Sequence, residues 1–128
     1  MSLLPKIYIL ILLIINIIIF IPKEVYAIEP LWKEVPETND GRQLWDQNSI
    51  EYLNNDMIRF NSKFIPKNTN KSSEKHIINY LMEVDCSNKL YRDALTNGLR
   101  NQTMKWFTPE GDALIEGVII QSCSKKTP

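Results

Sequence analysis

Few side chains in this 128-residue sequence could do chemistry. The only histidine is His76, and Glu83, Asp85 and Arg92 follow it closely. Glu83 and Asp85 are two positions apart, so on a strand they share a face, as a general acid and base on a sheet would have to. A Ser-His-Asp or Cys-His nucleophile would need His76, which stands beside a polar stretch. Acidic residues on an outer sheet face are ordinarily solvated or paired with a basic neighbour, here Arg92. A small hydrolytic enzyme using Glu83, Asp85, Arg92 and His76 is therefore the remote alternative, and no residue is expected to be catalytic. The four glycines stand apart at 41, 98, 111 and 117, so no glycine-rich phosphate loop is present. One histidine and two distant cysteines make no zinc set, and no metal or cofactor is expected.

Strands must position these residues. His76 to Cys86 alternates, with Ile78, Tyr80, Met82, Val84 and Cys86 on an inward face and Ile77, Asn79, Leu81, Glu83 and Asp85 on a mixed, partly solvated one. A turn at Ser87-Asn88 leads into a strand over Lys89 to Thr96, a register that sets Val84 opposite Tyr91 and Glu83 opposite Arg92. It also turns Asp93 inward, a conflict that leaves room for a bulge. Upstream, Leu31 to Val35 reads as a short strand ended by Pro36, and Asn39-Asp40-Gly41 as a turn into a second strand through Arg42 to Trp45. After a reversal at Asn54-Asn55-Asp56, Ile58, Phe60 and Phe64 share one face while Arg59, Asn61 and Lys63 take the other. Pro66 to Lys75 is a polar, exposed loop. Met104 to Phe107 is a short final strand.

Thr108-Pro109-Glu110 marks the start of a helix over 109–122, with Thr108 as N-cap and proline in the first helical position. Leu114, Ile115, Val118 and Ile119 form its apolar stripe, and Ile115, Ile119 and Cys123 follow at four-residue steps. Cys86 thus lies on the inner face of a strand and Cys123 on the buried edge of the helix packed over it. A Cys86–Cys123 disulfide follows, in keeping with an even cysteine count in an exported protein. A redox dithiol would call for close spacing, and 36 residues intervene here.

Export is read from the N-terminus. Ile7 to Ile21 is an uncharged run broken only by Asn16, preceded by Lys6 and stopped at Pro22-Lys23-Glu24. It is shorter than the roughly 20 residues that a bilayer-spanning helix needs. Residues 1–27 are expected to be a signal peptide cleaved after Ala27, with an uncleaved N-terminal anchor as the alternative. Residues 28–128 are then a single domain, with no membrane insertion after cleavage. Its thirteen basic and fourteen acidic residues nearly cancel, which gives no electrostatic basis for nucleic-acid binding.

Trp32, Trp45 and Trp106 lie on three expected strands, and each is either a core residue or, if partly exposed, an interface anchor. With Glu83, Asp85 and Arg92 they form the candidate binding or structural surface.

The order of features resembles the family named for surface-adhesin protein E. The resemblance is carried by Trp32 and Val35, Asp40-Gly41, Trp45-Asp46 with Ser49-Ile50, Glu83 with Asp85-Cys86, Arg92, Trp106, Pro109-Glu110-Gly111-Asp112 and Cys123. The sequence departs from that pattern around Arg59-Phe60 and at the helix entry, where the family has Pro-Gly-Ser. The resemblance implies a small exported bacterial domain whose antiparallel sheet carries a C-terminal helix held by a disulfide, in a family of surface proteins that bind host matrix and serum proteins.

The expected fold is α+β, an antiparallel sheet of about five or six strands with one C-terminal helix on one face. The expected function is non-enzymatic binding of a protein partner in the periplasm or at the cell surface, secreted forms included. The alternative is a soluble subunit or assembly factor of an envelope or thylakoid membrane complex, which would place it in the periplasm or the thylakoid lumen.

Overall fold

The structure, a computed structural model, describes residues 3–19, 27–54, 56–67 and 76–125. The expected cleavage-region residues 20–26, Asn55 and most of the polar loop, 68–75, lie outside the described residues.

Helix α1 spans Leu4–Ile19, and the amide of Asn16, its polar interruption, is satisfied within the helix by the Leu12 carbonyl. Among the described residues no helix is long and apolar enough to cross a membrane. The sheet follows: β1 Trp32–Glu34, β2 Gly41–Asp46, β3 Glu51–Asn54, β4 Met57–Pro66, β5 Ile78–Asp85, β6 Leu90–Thr96 and β7 Leu99–Arg100. Every pairing is antiparallel, and apart from β3 the strands lie side by side in sequence order. A 3-10 turn at Gln47–Ser49 divides β2 from β3, and both run beside β4, so seven strands occupy six places across the sheet.

Alternation puts Trp45, Ile58, Phe60, Met82 and Val84 on one face, where they form the core with Val35 and with Leu114, Val118 and Ile119 of helix α2, Ala113–Cys123. Ser62 sits between Phe60 and Phe64 on this inner face. Trp45 meets Phe60 edge to face at 5.7 Å, and its indole Nε1 donates to Gln121 Oε1 at 2.8 Å, which ties the helix to β2. Where α2 passes Val35, just after β1, a Cβ on Gly117 would meet Val35 Cβ at 3.0 Å, so glycine permits the close approach.

The α+β expectation and the β5–β6 register hold, with Val84 opposite Tyr91 and Glu83 opposite Arg92. The bulge falls where Asp93 conflicted with the alternation: Met82 pairs with Asp93 but Leu81 with Leu95, leaving Ala94 over. Two expectations are corrected. Met104 to Phe107 is not a strand; only Phe107 bridges to Tyr91, and the seventh strand lies at Leu99–Arg100. Trp106 is accordingly off the ladder. The helix begins at Ala113 instead of 109, with Asp112 instead of Thr108 as N-cap, because the Asp112 carboxylate accepts from both Leu114 N and Ile115 N at 3.1 Å. Gly111, at φ +81°, makes the preceding turn, a conformation that other residues rarely adopt.

Candidate functional site: the outer face of the sheet

The face opposite α2 carries a row of charges set by strand register. Glu51 on β3 pairs with Arg59 on β4, Arg59 with Glu83 on β5, and Glu83 with Arg92 on β6. Side chains follow the backbone pairing. Glu83 accepts from Arg59 Nε at 3.0 Å and from Arg92 Nε at 2.6 Å, while Glu51 reaches Arg59 at 3.6 Å. Arg92 also donates to the Met104 carbonyl at 3.1 Å, and its guanidinium lies 4.3 Å from the Trp106 ring centre. The segment that fails to form a strand thus crosses the outer face and covers Arg92.

Glu83 is 2% exposed although it stands on the outer face, because the two guanidinium groups and not the core enclose it. Burial pushes its carboxyl up, but the hydrogen bonds from Arg59 and Arg92, together with their charges, outweigh this and hold it below the ordinary 4.5. The same hydrogen bond, donated to Glu83, raises Arg59. An ionised carboxylate between two cations is poorly suited to proton transfer at neutral pH.

Other expected site residues part company. Asp85 shares the face with Glu83 but turns to the β5–β6 turn, where Asn88 donates to it through its backbone N at 3.1 Å and its Nδ2 at 2.9 Å, lowering its pKa. No Glu83–Asp85 pair forms. His76 precedes β5 and is exposed, seven residues from Glu83 and so about 20 Å away along an extended chain. Trp32 lies on the outer face with Lys63 Nζ 3.9 Å over its ring, whereas Trp45 is 1% exposed in the core. Cys86 and Cys123 are bonded, joining the end of β5 to the end of α2 with Cα atoms 5.6 Å apart.

Arg59 is the residue that sequence reasoning missed. Its outward orientation was legible, but not its place opposite Glu83, because the β4–β5 register depends on a long polar connection.

The family model of the surface adhesin-E family matches residues 33–128. The chain belongs to the surface adhesin-E family. The match takes in β2 to β7, β1 apart from Trp32, α2, both cysteines and the whole charged row of this adhesin-E member. No curated protein and no solved structure matches the chain. Adhesin-E membership points to a surface or exported, non-enzymatic protein that binds other molecules.

Proposed function

We propose that this adhesin-E member is an exported module that binds a protein partner through the outer sheet face, centred on Trp106, Arg92, Glu83 and Arg59, with Trp32 as a second anchor. Residues 1–27 direct export and are removed after Ala27. The observation that carries the interface is Trp106, partly exposed and held over Arg92, whose guanidinium is itself fixed by the buried Glu83. An aromatic and an arginine immobilised before contact lose little freedom on binding, and these residue types dominate interface energetics. Neither the cleft of about 380 Å³ beside Asn88, Glu110 and Ile120 nor that of about 250 Å³ beside Asp93 is lined by Glu83, Asp85, Arg92 or His76. Their arrangement thus supports a contact surface over a catalytic pocket.

Mild cross-linking in the source organism tests this. Wild type is expected to capture a discrete protein species that Trp106→Ala loses at least tenfold, with circular dichroism unchanged. Capture unaffected by Trp106→Ala and by Trp32→Ala would place the interface elsewhere.

A further inference from the structure

On the opposite side of the sheet, beyond the N-terminal end of α2, a cleft of about 250 Å³ remains open. Phe64, Met82, Leu114 and Ile115 make its apolar walls, and Asp40, Asp93 and Asp112 its acidic lining. No lysine, arginine or histidine is among the residues that line it.

Beside the Tyr80 and Tyr91 hydroxyls, its polar lining includes acceptors that have no donor among the described residues. Gln43 is 2% exposed and lines the cleft. Its Nε2 donates to Ser62 Oγ at 2.6 Å, and Ser62 gives its one proton to the Leu44 carbonyl at 2.8 Å. That second bond fixes the amide orientation: Gln43 must donate to Ser62 through nitrogen, so Oε1 is the atom left over. Among the described residues Oε1 receives no hydrogen bond, and Gln43 is one of the residues that line the cleft. The Asp93 carboxylate likewise has no hydrogen-bond or ion-pair partner among the described residues. Tyr80 and Tyr91 flank it as neutral phenols, their ionisation pushed up by burial and by the Asp93 and Asp112 charges.

We propose that this cleft is a binding site for one alkylammonium or guanidinium group carried on an aliphatic stem, with Asp93 and Gln43 Oε1 receiving its N–H donors and Phe64, Leu114 and Ile115 its methylenes. The volume suits a single lysine-sized group, being below the roughly 300–1,000 Å³ of drug-sized sites. Asp40, Asp93 and Asp112 do not gather closely enough to hold a metal ion, for no such group of three occurs among the described residues. The inference does not rest on the outer face, which lies on the other side of the sheet.

The test is methyl NMR of the full-length chain, following Met82 and Ile115 during titration with N-acetyl-lysine methylamide, 1-aminopentane and the uncharged N-acetyl-norleucine methylamide. At pH 7.5 the amines are expected to shift both methyl signals and to bind roughly tenfold more tightly than the norleucine derivative. The preference should vanish below pH 5, where the carboxyl of Asp93, raised by burial to about 6, is protonated. Over that interval Tyr80 and Tyr91 stay neutral, and the remaining charged groups facing Asp93 are Asp112, the N-cap of α2, and Asp40 before β2. Asp93→Asn should abolish the preference at pH 7.5. Tighter binding of the lysine derivative than of 1-aminopentane supports the site with a polypeptide side chain as ligand, and the reverse order supports it with a free amine. Equal binding of charged and uncharged compounds, absence of amine binding, or an unaltered preference in Asp93→Asn overturns it; the pH series on wild type decides should the variant misfold.

Discussion

Glu83→Gln is the sharpest probe of the charged row. The carboxylate is 2% exposed and accepts from two arginines, so the substitution leaves two cations facing a neutral amide that cannot satisfy both. Loss of one member of a fully buried pair costs about 3–5 kcal/mol, whereas exposed pairs contribute about 0–1 kcal/mol. Here Arg59 and Arg92 have side chains 32% and 23% exposed, so water reaches them and the expected loss is intermediate, about 2 kcal/mol. For a domain of about 100 residues this lowers Tm on the order of 10 °C. Urea denaturation at pH 7 followed by circular dichroism measures it. The pH dependence is fixed in sign. Because Glu83 is held below its ordinary 4.5, its contribution is present above that value and lost as pH falls through the folded-state value. The gap between wild type and Glu83→Gln should therefore be constant above about pH 5 and narrow as pH falls below 4.5 through the folded-state value. A difference under about 0.5 kcal/mol at pH 7 would mean that desolvation cancels the pairing, and the reasoning would fail.

Two further stability measurements bear on other parts of the molecule. Cys123→Ser releases a cross-link spanning 37 residues and is expected to cost about 3–4 kcal/mol on the chain-entropy estimate, read as a reduced Tm; unreduced protein should show no reactive thiol. Asp93→Asn should stabilise at pH 7, because burial raises the Asp93 carboxyl from 3.8 to about 6 and the folded state holds the charge unfavourably. The displacement corresponds to about 3 kcal/mol at full value, reduced to about 1 kcal/mol because solvent reaches the half-buried group from the cleft. Wild type loses this stability as pH rises from about 4 to about 6, so the two proteins should converge below about pH 4; a gap that persists there would refute it.

What the sequence made legible follows the range of its signals. Between β5 and β6 the turn is short and the alternation strong, so Glu83 opposite Arg92 and the inward Cys86 could be read directly. The partner of Cys86 was equally readable, since four-residue steps carry the helix stripe to Cys123. Arg59 could not be matched to Glu83, because a strand pairing across a long polar connection has no local register marker. Met104 to Phe107 was misread for a related reason. Its aromatic and apolar content suits a strand, but Trp106 is used on the guanidinium of Arg92 and not on a ladder, and nothing in the local pattern distinguishes the two uses.

The misplaced helix start has the largest consequence for the surface. Thr108-Pro109 and Asp112 are both competent starts, and the later one prevails because the Asp112 side chain holds two backbone N–H groups while Gly111 takes the left-handed turn before it. A helix begun at 109 would carry about one more turn toward the end of the sheet where Asp93 lies. The observed start leaves that end uncovered, and the β5–β6 register, with Asp93 opposite the inward Met82, turns Asp93 toward it. The conflict that the strand pattern showed at Asp93 and the displaced N-cap are therefore two sides of one arrangement: a carboxylate faces inward where the helix no longer closes the core. If covering that end were only a matter of packing, an apolar residue at 93 and an earlier cap would serve it better, which is why the amine titration, and not stability alone, decides what the cleft is for.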